Sequence, residues 1–227
     1  IPYFSVGEGL HNFLRESLIS GTVTEGIYYG YGSTESDSAE NSFTSSIYLN
    51  SESGKLKFSD EWPALQNLSA DIYIQNEQLF VEASQAEIQG NSLQNLRARL
   101  AEAEVNAPQI LNVSANLDVS STQLDYWLNE SPIANHTQSI AEQLEVHGTL
   151  GIDLGLEIPI EGDGDVDYLI ESSFKSASVK HLPSDLLFKN VNGVLLVSSS
   201  SGVSAQDIQA QFFGQQASLN IETRIEE

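Results

Sequence analysis

Residues 149–160 read TLGIDLGLEIPI and alternate between large apolar side chains and polar or small ones. The apolar positions are Leu150, Ile152, Leu154, Leu156, Ile158 and Ile160. Because successive side chains of a β-strand point to opposite faces, this period of two predicts a strand with one apolar face. At ~3.3 Å per residue the strand would be about 40 Å long, roughly twice the usual length.

The same alternation continues on both sides of this stretch. After a turn at 162–164 it resumes at Val166, Tyr168 and Ile170, and it returns in three later segments that end near residue 225. On the N-terminal side it appears around 43–49, 70–83 and 113–119. About eleven strands joined mostly by short Gly, Asn and Ser turns predict an antiparallel meander.

Helical periodicity interrupts the pattern at two places. Residues 7–19 place four apolar side chains at helical spacing. Residues 122–128 and 133–144 predict two further short helices, separated by Ser131-Pro132, with Ser121 or Thr122 as the N-cap. The predicted fold is therefore mainly β, an antiparallel sheet with two or three short helices. We predict one segment over residues 1–227, with a helical interruption at about 122–145.

A sheet of this size must cover its apolar face. Each buried Leu or Ile contributes roughly 1.5–3 kcal/mol, so the face will not stay in contact with water. Two or three short helices are too few to cover strands of this length. Two interpretations remain: a sandwich that closes on itself, and an extended, curved, taco-like sheet whose groove holds acyl chains or another apolar ligand.

Composition excludes several classes of protein. The 227 residues include 9 Lys and Arg against 32 Asp and Glu, for a formal net charge of -23. Nucleic-acid binders and proteins that dock on anionic membranes need clustered basic residues, so neither class fits. The absence of Cys excludes disulfides, thiolate metal sites and cysteine nucleophiles. With 40% hydrophobic residues the chain can nevertheless fill a core.

None of the candidate catalytic or metal motifs has the spacing that its chemistry requires. The carboxylates at Asp163, Asp165 and Asp167 lack the Gly and Glu positions of a calcium loop. Ser172 and Lys175 match the S-x-x-K pattern of acylating enzymes, but on a strand they would face opposite sides. The four histidines show no zinc-site spacing. We therefore predict no enzyme activity, no metal and no cofactor.

Two further features concern architecture. Three octamers that begin at Leu65, Leu93 and Phe188 share an Asn at their third position, which we interpret as a turn residue before a strand. Repeated hairpins of this kind would build a sheet that grows in one direction. Trp62-Pro63 is better explained as an anchor at a corner between strands than as a functional aromatic.

The order of several motifs resembles the AsmA-like superfamily, most closely its YhdP-type members. The stretches that carry the resemblance are IPYFS at 1–5 with the helix and GTV at 21–23, KLKF at 55–58 with WPALQNL at 62–68, ANLD at 115–118 with YWL at 126–128 and SPI at 131–133, GTLGIDLGLEIPI at 148–160, and FKNVNG at 188–193. Together they cover nearly the whole chain. One departure is the Ser-rich segment 33–46, which stands where the family has an aromatic and proline stretch.

The resemblance implies a fragment of a bacterial envelope protein that is anchored in the inner membrane of a Gram-negative cell and extends into the periplasm. It implies a β-groove that moves phospholipid between the inner and outer membranes, with acyl chains as the ligand. The predicted lining residues are Leu150, Ile152, Leu154, Leu156, Ile158, Ile160, Val166, Tyr168 and Ile170. A structural or interaction β-sandwich without a lipid ligand, such as an adhesin-like module, is the alternative, and a β-rich hydrolase is the third hypothesis. In an open groove, Asp at Ile152 or Leu156 should impair lipid occupancy more than folding.

Overall fold

The structure is a computed structural model that describes residues 8–32, 44–75, 78–101, 109–161 and 164–222. The motif at residues 1–5, most of the Ser-rich segment and Asp163 lie outside the described residues. Within them, the structure has thirteen strands in antiparallel pairing, three α-helices and one 3-10 helix (Leu182–Ser184). The predicted fold class, a mainly β antiparallel sheet with two or three short helices, is confirmed.

The helices are short and the strands are long. The helices are α1 (Glu8–Ser17), α2 (Ser121–Asn129) and α3 (Ala134–Ala141). The strands are β1 (Leu18–Tyr31), β2 (Thr44–Leu56), β3 (Leu65–Gln75), β4 (Gln78–Ile88), β5 (Asn91–Ser92), β6 (Gln94–Leu100), β7 (Ile110–Ser120), β8 (Leu144–His147), β9 (Thr149–Pro159), β10 (Asp167–His181), β11 (Leu186–Ser198), β12 (Gly202–Phe212) and β13 (Gln215–Glu222).

Two compact units divide the chain. Unit 1 comprises residues 1–115 and 156–166, and unit 2 comprises residues 116–155 and 167–227. In unit 1, β1, β2, β3, β4 and β6 follow one another across the sheet; in unit 2, β10, β11, β12 and β13 do the same. Sequential antiparallel neighbours are what short turns between alternating segments produce.

The helix α2 begins one residue earlier than the sequence predicts. The N-cap is Ser120, where Ser121 or Thr122 was expected. The Ser120 backbone N–H donates to Gln123 Oε1 at 3.2 Å, as in a capping box. Gln123, at the third helical position, therefore fixes where α2 begins, because its side chain accepts a hydrogen bond from a backbone N–H that has no partner within the helix.

A row of buried apolar side chains crosses unit 1. Ile47 lies opposite Ile74, Ile74 opposite Leu79, and Leu79 opposite Leu100, so the row crosses four strands. None of the four side chains is more than 5% exposed. Each strand presents its apolar side chains to this face at every second position, as the period of two predicts.

The Asn shared by the three octamers is not a turn residue. Asn67, Asn95 and Asn190 lie within β3, β6 and β11, with φ values of 51°, 51° and 49°. Hydrogen-bond register shifts accompany Asn67 and Asn190, which identifies β-bulges at these two residues. The prediction of turns was therefore wrong, because Asn is favoured in a bulge for the same left-handed φ that it tolerates in a turn.

A second set of bulges repeats at the same spacing. Ser53 precedes Asn67 by fourteen positions, as Ser176 precedes Asn190, and both Ser residues have a φ of 54°. The Ser176 N–H donates to Asn192 Oδ1 on the next strand at 2.9 Å. An Asn side chain thus satisfies a backbone donor that the irregular strand pairing leaves available. The matching positions show that β2–β3 and β10–β11 are structural repeats.

We expect Asn67→Val to destabilise the protein by about 1–2 kcal/mol, because a β-branched residue is strained at a left-handed φ. Asn67→Gly should cost less, since Gly adopts this φ without steric penalty. Both variants lose the hydrogen bond from Asn67 Nδ2 to Glu87 Oε2, so their difference isolates the backbone strain. Urea unfolding measures the difference in stability between the two variants. Equal unfolding midpoints would contradict the assignment of strain.

Candidate functional site

A strip of half-buried apolar residues crosses unit 1 beside the buried row. Leu49 lies opposite Ile72, Ile72 opposite Val81, and Val81 opposite Ala98, so the strip runs over β2, β3, β4 and β6. All four side chains remain partly accessible to solvent, although Ile74 and Leu79, two positions away on β3 and β4, are almost fully buried. We call these four residues the unit-1 strip.

A small residue lies at each end of this strip. Gly26 of β1 lies opposite Leu49, and a Cβ at Gly26 would approach Leu49 Cδ2 to 3.3 Å. At the other end the strip finishes on Ala98. A continuous band of apolar side chains that is accessible from solvent, with small residues at its ends, can hold an elongated apolar ligand without displacing the core.

Unit 2 carries a comparable surface on β10 to β13. Its fully buried centre consists of Ala177, Val191, Ala205, Ile208 and Ala210. Around that centre lie half-buried apolar side chains, namely Phe174, Val179, Phe188, Leu195, Leu219 and Ile221. The rings of Phe188 and Phe212 stack with centroids 4.9 Å apart. The buried centre and the half-buried side chains packed against it form one apolar face, which we call the unit-2 surface.

Seven of the predicted lining residues lie on the less exposed side of β9 or β10, whereas Ile160 and Val166 lie outside the strands, between β9 and β10. Ile152, Leu154 and Val166 are half-buried; the other six are buried, namely Leu150, Leu156, Ile158, Ile160, Tyr168 and Ile170. Asp153 and Glu157, on the opposite face of β9, are exposed. The contact of these residues with acyl chains stays a prediction.

The unit-1 strip and the unit-2 surface were not among the predicted lining residues. The alternation around Ile72 and Val81 signals one apolar face, but it does not distinguish a half-buried position from a buried one. The sequence signal that could have marked the unit-1 strip is the pair of small residues at its ends, Gly26 opposite Leu49 and Ala98 opposite Val81.

The opposite face of unit 1 carries a polar network centred on one carboxylate. Asp71 Oδ1 accepts a hydrogen bond from the Tyr48 hydroxyl at 2.8 Å and another from Asn50 Nδ2 at 2.9 Å. These donors lower the pKa of Asp71. The hydrogen bond to Asp71 in turn raises the pKa of the Tyr48 phenol to about 12. The network therefore favours an ionised Asp71 beside a neutral Tyr48.

We expect Asp71→Asn to return the pKa of Tyr48 toward the ordinary value of 10.0, because its charged acceptor is gone. The pKa of Tyr48 is raised on folding, so its contribution to stability is complete below pH 10 and is lost between about pH 10 and 12. Titration of tyrosinate absorbance measures the shift, with Tyr48→Phe to assign the signal. An unchanged titration in Asp71→Asn would contradict the network.

The other motifs offer no reactive arrangement. In β10, Ser172 is buried and Lys175 is exposed, as expected for residues on opposite faces. Among the residues that the structure describes, no group of three His, Asp or Glu side chains could hold a metal ion. Trp62 is 2% exposed and its ring lies 6.1 Å from that of Phe58, which supports a role as a corner anchor. No described helix is long and apolar enough to cross a membrane.

Comparison with known proteins decides the family. The family model described as YhdP protein matches residues 1–227. The chain belongs to the YhdP family. This YhdP-family chain is 22% identical over 170 residues to the intermembrane phospholipid transporter YhdP of Escherichia coli (strain K12). The match covers 75% of the chain but only 13% of that relative's length. No solved structure gives a significant match.

Proposed function

We propose that this YhdP-family chain is one segment of a periplasmic protein that moves phospholipid between the inner and outer membranes. The observation that carries the proposal is the unit-1 strip, an apolar band that is continuous over four strands and accessible to solvent. The relative from Escherichia coli is named an intermembrane phospholipid transporter, which supports the same ligand.

The mechanism would be passive. Acyl chains lie against the apolar face while the head groups stay in water, and each methylene removed from water contributes roughly 0.8 kcal/mol. Such contacts are non-directional, so a chain can slide along the band without breaking any specific bond. This process needs no nucleophile, metal or cofactor, and we assign none to the chain.

The proposal includes a location. The full-length protein would be anchored in the inner membrane of a Gram-negative bacterium, with this segment in the periplasm. The formal net charge of -23 supports a segment that stays away from anionic bilayer surfaces, because an acidic surface is repelled by anionic lipid head groups. Any further partner proteins in the envelope are unknown.

A structural or interaction module without a lipid ligand is the second candidate function. The observation that favours it is β1, which is the edge strand of the sheet among the described residues and is exposed at every one of its 14 residues. A long, exposed edge strand is a template for pairing with another chain. The two functions differ in one measurable property, since only the first requires lipid on the apolar face.

Photo-crosslinking at two adjacent residues tests the proposal. Ile72 belongs to the unit-1 strip, whereas Tyr73 is 49% exposed on the opposite face of the same strand. We expect a benzophenone amino acid at position 72 to form adducts with phospholipid in cells, and the same residue at position 73 to form few. Equal labelling at both positions, or none at position 72, would favour the interaction module.

A further inference from the structure

A cavity of about 870 Å³ in unit 1 lies between the first helix, the β2–β3 connection and residues 158–161 and 164–166. This volume falls within the roughly 300–1,000 Å³ of sites that hold small ligands. Its lining includes the buried Ile158 and Ile160 and the half-buried Phe13 and Phe58. Apolar side chains therefore form part of a mainly polar lining, at residues distinct from the unit-1 strip.

One cation is held in the cavity wall by uncharged groups. Lys57 Nζ donates to the backbone carbonyls of Asp60 at 3.0 Å and of Trp62 at 2.5 Å. Within the described ranges, no carboxylate lies within 4.0 Å of this nitrogen. An ammonium group has three donors, and carbonyls do not neutralise its charge. Lys57 therefore keeps a positive charge in a fixed place.

Six exposed acidic residues also line the cavity, namely Glu8, Glu16, Asp60, Glu61, Glu161 and Asp165. The Glu161 side chain packs against Gly9 so closely that a Cβ there would lie 2.2 Å from Glu161 Oε1. The lining thus combines the Lys57 ammonium, an excess of negative charge and a smaller apolar part.

We propose that this cavity selects the head group of the transported lipid, and that its ligand is a zwitterionic phospholipid with a terminal ammonium. The lipid phosphate faces Lys57, its ammonium faces the carboxylates of the lining, and the start of its acyl chains lies on Phe13 and Phe58. An anionic head group such as that of phosphatidylglycerol meets Lys57 equally well, but it has no ammonium for the carboxylates to attract. The inference rests on the proposed function, since it names the lipid class that the segment handles.

Competition between two lipids tests the selection. The chain is incubated with vesicles of equimolar phosphatidylethanolamine and phosphatidylglycerol that carry identical acyl chains, and is then separated by flotation. Mass spectrometry of the extract gives the total bound lipid and the ratio of the two head groups. We expect the wild-type chain to carry an excess of phosphatidylethanolamine.

Two variants should act on different quantities. The double variant Glu16→Gln with Glu61→Gln should lower the ratio of bound phosphatidylethanolamine to phosphatidylglycerol by about two- to tenfold, without reducing total lipid. This is the size expected for the loss of two exposed ion pairs. Lys57→Gln should reduce total lipid without changing the ratio, because both lipids carry the phosphate. The matched controls are Glu25→Gln with Glu52→Gln, which change the net charge equally outside the cavity, and Lys55→Gln. Circular dichroism melts verify that each variant is folded.

The outcomes separate the inference from the function on which it rests. A wild-type chain that carries no lipid would contradict the proposed function itself. Bound lipid with equal amounts of the two head groups would overturn the head-group selection while leaving the function in place. A ratio that falls equally in the control pair would assign the preference to the whole-chain charge, and unchanged lipid in Lys57→Gln would remove the role of Lys57.

Discussion

Ile152→Asp is expected to remove most bound lipid while leaving the fold intact, whereas Leu156→Asp should fail to fold. Both residues lie on the same face of β9, yet Ile152 is half-buried and Leu156 is only 4% exposed. At Ile152 a carboxylate can reach water and stay ionised. At Leu156 it would be buried without a partner, which costs several kcal/mol, on the order of the whole stability of a domain. The structure thus separates two residues that the sequence alone treats as equal.

Thermal melts and lipid extraction on the same samples measure this prediction. Asp153→Asn and Glu157→Gln are matched controls, because both residues are exposed on the other face of the strand. Neither control should change the melting temperature or the lipid content appreciably. Loss of folding in Ile152→Asp would show that the position belongs to a sealed core, and undiminished lipid in a folded Ile152→Asp would remove this residue from the groove.

Gly193→Ala should destabilise unit 2 by about 2–5 kcal/mol, because it combines backbone strain with a steric clash. Gly193 has a φ of 149°, which side-chain-bearing residues rarely adopt. A Cβ would also lie 3.0 Å from both Cα and Cγ1 of Ile208, within the buried centre of the unit-2 surface. Since Ile208 Cα is backbone, it cannot move away at low cost.

A second glycine provides the control for strain alone. Gly214 has a φ of 77°, but nothing lies within 4 Å of the position of its Cβ. Gly214→Ala should therefore cost about 1 kcal/mol, the penalty of the left-handed conformation without the clash. Urea unfolding of both variants gives the difference. If the two substitutions cost the same, the approach to Ile208 has no energetic importance.

The elements whose alternating or helical pattern continues over many residues were predictable from the sequence. The strand expected at 149–160 is β9 at Thr149–Pro159, and the helix expected at 7–19 is α1 at Glu8–Ser17. The sequence did not predict the two shortest strands, Asn91–Ser92 and Leu144–His147. Two or four residues are too few to show an alternating pattern. Leu144–His147 pairs with β10, a contact between residues distant in sequence.

The candidate site was predictable only in part. Alternation identifies which side chains share a face, and it placed Ile152 and Leu154 on the apolar side of β9. How far each of them is covered depends on neighbouring strands, which a single segment does not specify. Ile72 and Ile74 illustrate this, since they have the same side chain and the same face but different exposure. The cavity around Lys57 likewise depends on three segments that lie far apart in the sequence.

The bulges at Asn67 and Asn190 bear on how such a chain could lengthen during evolution. A bulge resets the hydrogen-bond register within its own strand, so a mismatch on one side does not propagate to the other. In β10 and β11 the exposed backbone donor of one strand is satisfied by an Asn of the next. A hairpin of this kind carries both its irregularity and the side chain that compensates for it. Duplication of the corresponding gene segment would therefore add two compatible strands in one event, without requiring substitutions elsewhere in the sheet.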